Sequence, residues 1–122
     1  MTWIAVGAGG ALGSLARHGV NLLFSHFTGS ATPWATASVN ILGSLAIGVL
    51  AGLTAGGRLH LAAPARTFIF VGILGGFTTF SSFMLDTLTL GHGTQHRLAL
   101  VNLAAQLVLG CAAVFAGYAA AR

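Results

Sequence analysis

The chain has 122 residues, of which 56% are hydrophobic and 5% charged, whereas soluble globular domains carry about 25% charged residues. That contrast excludes a water-solvated domain, and the 18 glycines, set inside apolar runs without a collagen period, exclude a disordered or fibrous chain. Arg17, Arg58, Arg66, Arg97 and Arg122 face a single acid, Asp86. The positive balance reflects missing acids and builds no basic groove, which disfavours nucleic acid and leaves membrane lipid as the natural neighbour. Cys111 stands alone in an apolar run, has no intrachain partner and reads as a packing residue.

A transmembrane helix takes about 20 apolar residues, so four fit and five barely do. The first is expected over about residues 2–24. It runs past Arg17 without a small-residue cleavage site and reads as a span, not a cleaved signal peptide. Ser25 to Pro33 supplies a turn, and Pro33 with Trp34 suits a helix start at the interface. The second span covers about 34–54. The stretch from Ala55 to Arg66, holding Gly56, Gly57 and Pro64, reads as a loop before a third span at about 67–90. Gly91 to Arg97 ends that span, and the fourth covers about 98–121. The expected fold is one all-α integral membrane domain over residues 1–122, with four transmembrane helices and no second domain.

Small and polar residues align along some helix faces. Thr36, Asn40, Ser44, Gly48 and Gly52 recur every four residues in the second span, and Ala5, Gly9 and Gly13 do so in the first. Such stripes let backbones approach, which is how apolar helices associate in a bilayer. Asn40 is different in kind, because an amide at membrane depth needs partners and marks a pathway, a cavity or another polar group.

The third span carries the most information. Gly72 to Phe83 reads GILGGFTTFSSF, placing Gly75, Gly76 and the hydroxyls of Thr78, Thr79, Ser81 and Ser82 near the bilayer midplane. Two readings fit. Either the helix breaks near the glycine pair, from Gly75 to Thr78, freeing carbonyls for a cation and amides for an anion, or it stays straight and its hydroxyls bond back one turn. Phe80 and Phe83 share a face. Packing is their default role, and the positive edge of an aromatic ring turned into a pore would favour an anion without a trapping charge.

These residues resemble the CrcB/Fluc family of fluoride channels. GILGGFTTFSSF is similar to the family's third-helix signature G-x-x-G-G-[FL]-T-T-F-S-[ST]-F, Gly9 to Arg17 to its G-G-x-x-G-x-x-x-R pattern, and Ser38 to Gly52 to its V-N-x-x-G-[ST]-x-x-x-G second helix. The resemblance implies a passive fluoride channel in the bacterial inner membrane, built as an antiparallel dual-topology homodimer with the third helix broken near the midplane. It implies that Phe80 and Phe83 are the pore phenylalanines, Asn40 a pore amide, and Ser81 and Ser82 pore hydroxyls. It further implies that Gly75 and Thr78 hold a structural sodium ion through backbone carbonyls and that Arg17 lies near a vestibule, the alternative for Arg17 being snorkelling to the interface. His18, Asp86, Asn102 and Gln106 depart from the pattern. Asn102 and Gln106 stand one turn apart where the family has a Tyr/Ser polar track, and are assigned to the pore on that ground.

Competing functions are weaker on chemistry. A proton-coupled small multidrug transporter needs an embedded carboxylate, and the first helix has none. A non-transporting assembly subunit would use the glycine stripes but not the hydroxyl cluster. No Ser/His/Asp or Cys/His set supports an enzyme, and His92 with His96 lacks the further ligands a zinc site requires.

Overall fold

The computed structural model describes residues 2–30 and 32–122, and among them every regular element is helical. Helix α1 (Thr2–Thr28) runs past its expected end at Phe24. The Thr28 hydroxyl donates back to the Phe24 carbonyl at 2.7 Å, and the helix stops at Gly29, whose φ of 76° is the left-handed conformation that glycine adopts without a Cβ penalty. Ala31, within the expected turn, lies outside the described residues. Helix α2 (Pro33–Ala55) starts on its proline as expected, because a fixed φ and a missing N–H cost nothing in a first turn.

The third stretch is longer and more irregular than expected. It comprises α3 (Ala63–Arg66), a π-helical segment (Thr67–Leu74), α4 (Gly75–Phe77) and α5 (Phe80–His92). It begins ahead of Thr67 because Pro64 sits in the first turn of α3 and not in the loop. Helix α6 (His96–Ala121) likewise begins before Leu98, and α5 absorbs Gly91 and His92, so the expected loop from Gly91 to Arg97 shrinks to Gly93–Gln95.

Three stretches are long and apolar enough to cross a membrane: Pro33–Ala55, Ala63–His92 and His96–Ala121. At 27 residues, α1 extends for about 40 Å at 1.5 Å per residue and packs beside them, so the fold has the four long helical stretches expected. Large apolar side chains such as Trp3, Phe115 and Leu100 point outward, as a bilayer permits and water would not. Cys111, expected to pack, is also exposed on α6.

Glycines set the packing. Helix α1 lies along the π-helical segment and α4, and α2 along α6. A Cβ on Gly9 would strike the Phe68 carbonyl, one on Gly72 would sit 2.8 Å from the Gly9 Cα, and one on Gly76 would sit 2.6 Å from the Gly10 carbonyl oxygen. On the other side, Gly48 meets the Val114 backbone, and a Cβ on Gly117 would lie 2.7 Å from the Leu45 carbonyl oxygen. Both stripes named in the sequence therefore mark backbone contacts.

The break sits later than the glycine pair. Gly75 and Gly76 are helical, and the backbone departs at Thr78 (φ −82°, ψ 160°) and Thr79 (φ −154°, ψ 116°). Gly76 serves close approach to α1, so two extended β-branched threonines make the interruption.

Overpacking a tight site costs about 1–3 kcal/mol. Gly72→Val should therefore lower thermal stability in detergent, whereas Gly7→Val should leave it unchanged, because a Cβ on Gly7 meets nothing within 4 Å. Melting curves of the two variants check this.

Candidate functional site

An interrupted helix in a bilayer leaves backbone groups unpaired, each costing several kcal/mol. Here the side chain of Asn40, on α2, meets that need. Its Nδ2 donates to the Thr79 carbonyl at 3.0 Å, and its Oδ1 accepts from the Thr79 N–H at 2.8 Å. The pair of bonds imitates a β-bridge between one side chain and one residue. On the far side, the Thr79 hydroxyl caps α5 by accepting from the Ser82 N–H at 3.2 Å and donates to the Ser82 hydroxyl at 3.0 Å. Thr78 folds its hydroxyl back to the Leu74 carbonyl at 3.0 Å, and the absence of a side chain at Gly43 makes room for its methyl group.

From Asn40 an amide chain leads along α6. Asn40 Nδ2 donates to Gln106 Oε1 at 2.7 Å, Gln106 Nε2 to Asn102 Oδ1 at 2.9 Å, and Asn102 Nδ2 to the Thr87 hydroxyl at 2.9 Å. Thr87 in turn donates to the Phe83 carbonyl at 2.8 Å. Gln106 and Asn102 are 6% and 3% exposed, so these uncharged groups are satisfied by one another inside an apolar protomer.

A hollow of about 360 Å³ opens beside the break, with Asn40, Gln106, Phe80, Phe83, Gly75 and Thr78 in its wall. The phenylalanine rings meet edge to face, with centroids 5.8 Å apart and planes at 78°. They are not equivalent, since Phe83 is 3% exposed and Phe80 70%: one belongs to the protomer interior and the other stands at its surface. A smaller hollow of about 110 Å³ includes Asn102, Gln95 and Trp34 in its wall, and the Gln106–Asn102 hydrogen bond connects the two.

The carbonyls of Gly75 and Thr78 are among those that the break frees of helical partners. In a continuous helix the Gly75 carbonyl would accept from the Thr79 N–H and the Thr78 carbonyl from the Ser82 N–H, but those donors go to Asn40 Oδ1 and Thr79 Oγ1. Both residues line the large hollow. Neutral carbonyl oxygens with no carboxylate in the wall are a donor set that fits a hard monovalent cation. Gly75 is also exposed, and a Cβ there would meet only the Phe70 carbonyl oxygen at 3.9 Å. A side chain at Gly75 would therefore project away from the protomer without disturbing the break.

Of the residues singled out in the sequence, Asn40, Gln106, Phe80, Phe83, Gly75 and Thr78 come together around the large hollow, and Asn102 reaches the smaller one. Ser81 and Ser82 cluster about the Thr79 hydroxyl, with Ser81 Oγ 3.3 Å from Thr79 Oγ1, and line neither hollow. Arg17 is half-buried on α1 and lines neither hollow. Asp86 also stands apart from both walls, and its Oδ2 is buried without a hydrogen-bond partner among the described residues. Thr79 and Thr87 are the members that sequence reasoning left out of the site. Thr79 was visible only as half of a threonine pair, and Thr87 as one hydroxyl among several.

The chain matches the family described as CrcB-like protein, Camphor Resistance (CrcB), over residues 4–118. It is 47% identical over 122 residues to the fluoride-specific ion channel FluC of Rhodospirillum centenum, covering 98% of this chain and 94% of that one. The protein of the same name from Paracoccus denitrificans is 49% identical over 99% of this chain and 94% of its own length. That of Thermus thermophilus is 44% identical over 95% and 91%. A match that begins in the first turns of α1 and ends in the last turn of α6 takes in every element around the hollow: the chain belongs to the CrcB family.

Proposed function

We propose that the protein is a fluoride-specific ion channel that lets fluoride leave the cytoplasm passively across the bacterial inner membrane, with no enzymatic step. The observation that carries this reading is the edge-to-face Phe80–Phe83 pair beside buried neutral amides at a mid-span helix break. Fluoride holds its hydration shell strongly, so entry into an apolar protein requires hydrogen-bond donors in compensation. Amide and hydroxyl donors and the positive edges of aromatic rings supply attraction without a fixed charge, and conduction needs binding weak enough for release. The first turn of α5 adds the partial positive charge of a helix N-terminus at Phe80 and Ser81.

The working unit on this reading is an antiparallel dual-topology homodimer around a structural sodium ion. Exposed Phe80 and open Gly75 support it, because both lie on a protomer surface that a second copy would cover. The freed carbonyls of Gly75 and Thr78 would hold the sodium, which supplies the positive charge that replaces their missing helical donors. Few arginines and one acid leave little charge asymmetry to enforce a single orientation.

Reconstituted protein should pass fluoride and exclude chloride without ATP or a proton gradient, as read by a fluoride electrode. Phe80→Ile and Phe83→Ile should each cut flux at least about tenfold, the effect of roughly 1.4 kcal/mol on a barrier. Of the two, only Phe83→Ile should lower protomer stability noticeably, given its burial. Equal chloride flux, or a need for a proton gradient, would remove the channel reading, and normal flux in both variants would show the two rings to be ordinary packing.

Replacing sodium by a large organic cation on both sides should weaken the dimer or lower fluoride flux. Thr78→Val should be mild, since the proposed ligand is a backbone oxygen, whereas Gly75→Val should leave the protomer folded and impair pairing. Size-exclusion profiles of both variants, with and without sodium, test this.

A single cysteine at position 94, introduced as Thr94→Cys in a Cys111→Ser background, should be labelled in two comparable populations from the two sides of the membrane. One fully protected population would refute the antiparallel dimer.

A further inference from the structure

We propose that Gly43 is a positioning residue for the helix break: the space left by its missing side chain receives the Thr78 methyl group, and that fit sets where the Thr78 carbonyl stands. The inference rests on the cation-ligand reading of that carbonyl for its function, while the fit itself is a matter of geometry. Tight glycines elsewhere in the protomer meet backbone, as Gly9, Gly48 and Gly72 do. A Cβ on Gly43 would instead strike the end of a side chain, the Thr78 methyl carbon, with Phe77 Cδ1 3.5 Å away. A side-chain end ordinarily yields to a new neighbour by rotating, but Thr78 is held. Its hydroxyl donates to the Leu74 carbonyl at 3.0 Å. In a β-branched residue the hydroxyl and the methyl group turn together about one bond, so the methyl cannot leave the space at Gly43 unless that hydrogen bond breaks.

Two consecutive residues of the break are thereby fixed by two neighbouring positions of α2. Asn40 and Gly43 stand three apart on one helix face. Asn40 bonds both backbone groups of Thr79, and Gly43 seats the side chain of Thr78. Gly43 is buried and, with Thr78, lines the large hollow. With its hydroxyl tied to Leu74 and its methyl seated in α2, Thr78 (φ −82°, ψ 160°) holds an extended backbone between two anchors. Its carbonyl, which has no helical donor, takes its direction from them. An added methyl at position 43 would push Thr78 away from α2. The hydrogen bonds from Asn40 to the next residue would then stretch past about 3.2 Å, where such bonds weaken. Thr78 thus contributes more than a backbone oxygen, because its branched side chain keeps that oxygen in place.

A size exchange tests the fit, since Thr78→Ser removes the methyl group and keeps the hydroxyl that bonds Leu74. Two readouts are followed on the purified protein: hydrogen exchange at the peptide containing Thr79, and the sodium concentration at which pairing, read by size exclusion, is half-maximal. Gly43→Ala should raise both about tenfold or more, within the range of an overpacked site. The double variant Gly43→Ala/Thr78→Ser should return both to within about threefold of wild type, because the added methyl occupies the room that the lost one leaves. Packing without a positioning role would lower the melting temperature of Gly43→Ala and leave both readouts unchanged, an outcome that overturns the proposal. A double variant as impaired as Gly43→Ala alone would overturn it as well. If Gly43→Ala does not fold, recovery of folded protein in the double variant supports the fit, and failure to recover it overturns the fit. A wild-type protein whose pairing is indifferent to sodium defeats the cation reading, and Thr79 exchange then decides the fit by itself.

Discussion

A backbone that leaves its helix inside a bilayer must find other partners for its N–H and carbonyl groups, because no water is present to accept them. In this protein one side chain on a neighbouring helix supplies both at Thr79, and much of the remaining architecture depends on it. Without Asn40, Thr78 and Thr79 would be expected to return to helix, taking the Gly75 and Thr78 carbonyls back into the ladder and continuing α4 into α5. With it, the first turn of α5 starts at the phenylalanine pair, the hollow opens, and carbonyls become available on the protomer surface. One amide therefore couples the packing of α2 to the shape of the candidate pore.

The second constraint is electrical. An ion in a low-dielectric interior is strongly destabilised unless something answers its charge, yet a full opposite charge would hold it too well to conduct. The chain avoids formal charge where the hollows lie, since the arginines and Asp86 are absent from both walls. What remains are amides, backbone, ring edges and a helix terminus, each a partial charge fixed in position. Fixing matters, because dipoles already oriented in the free protein need no reorganisation when an ion arrives. The mutual hydrogen bonds of Gln106, Asn102 and Thr87 provide that fixing.

Much of this was legible in the sequence, and the parts that were not share a cause. Apolar length located the long helical stretches, and glycines spaced every four residues identified real backbone contacts at Gly9, Gly48 and Gly52, because helical period and helix association in lipid are local properties. The need of Asn40 for a partner was also evident from its depth. The identity of that partner was not, since Thr79 lies 39 residues away and is bonded through backbone atoms that every residue possesses. For the same reason the residues leave a break from Gly75 to Thr78 and a straight helix equally open. Glycine weakens a helix, but Gly76 is held in it by its contact with Gly10, and the interruption falls where a side chain competes for the amide. The π-helical widening from Thr67 to Leu74 has no evident signature in the residues.

The packing divides the protomer into two close pairs, α1 with the π-helical segment and α4, and α2 with α6. The break lies where these pairs meet, and the Asn40 hydrogen bonds cross between them from α2 to Thr79. Backbone contact through glycine leaves little room for either pair to adjust internally, so the loss of helical hydrogen bonds at the break cannot be made good by shifting a helix contact. It has to be met locally by hydrogen bonds or externally by whatever covers Phe80 and Gly75. Phe80 and Gly75 are exposed on the protomer surface, and beside them the break leaves carbonyls and the first N–H groups of α5 without helical partners. The groups left incomplete by the break thus gather beside the surface that exposes Phe80 and Gly75.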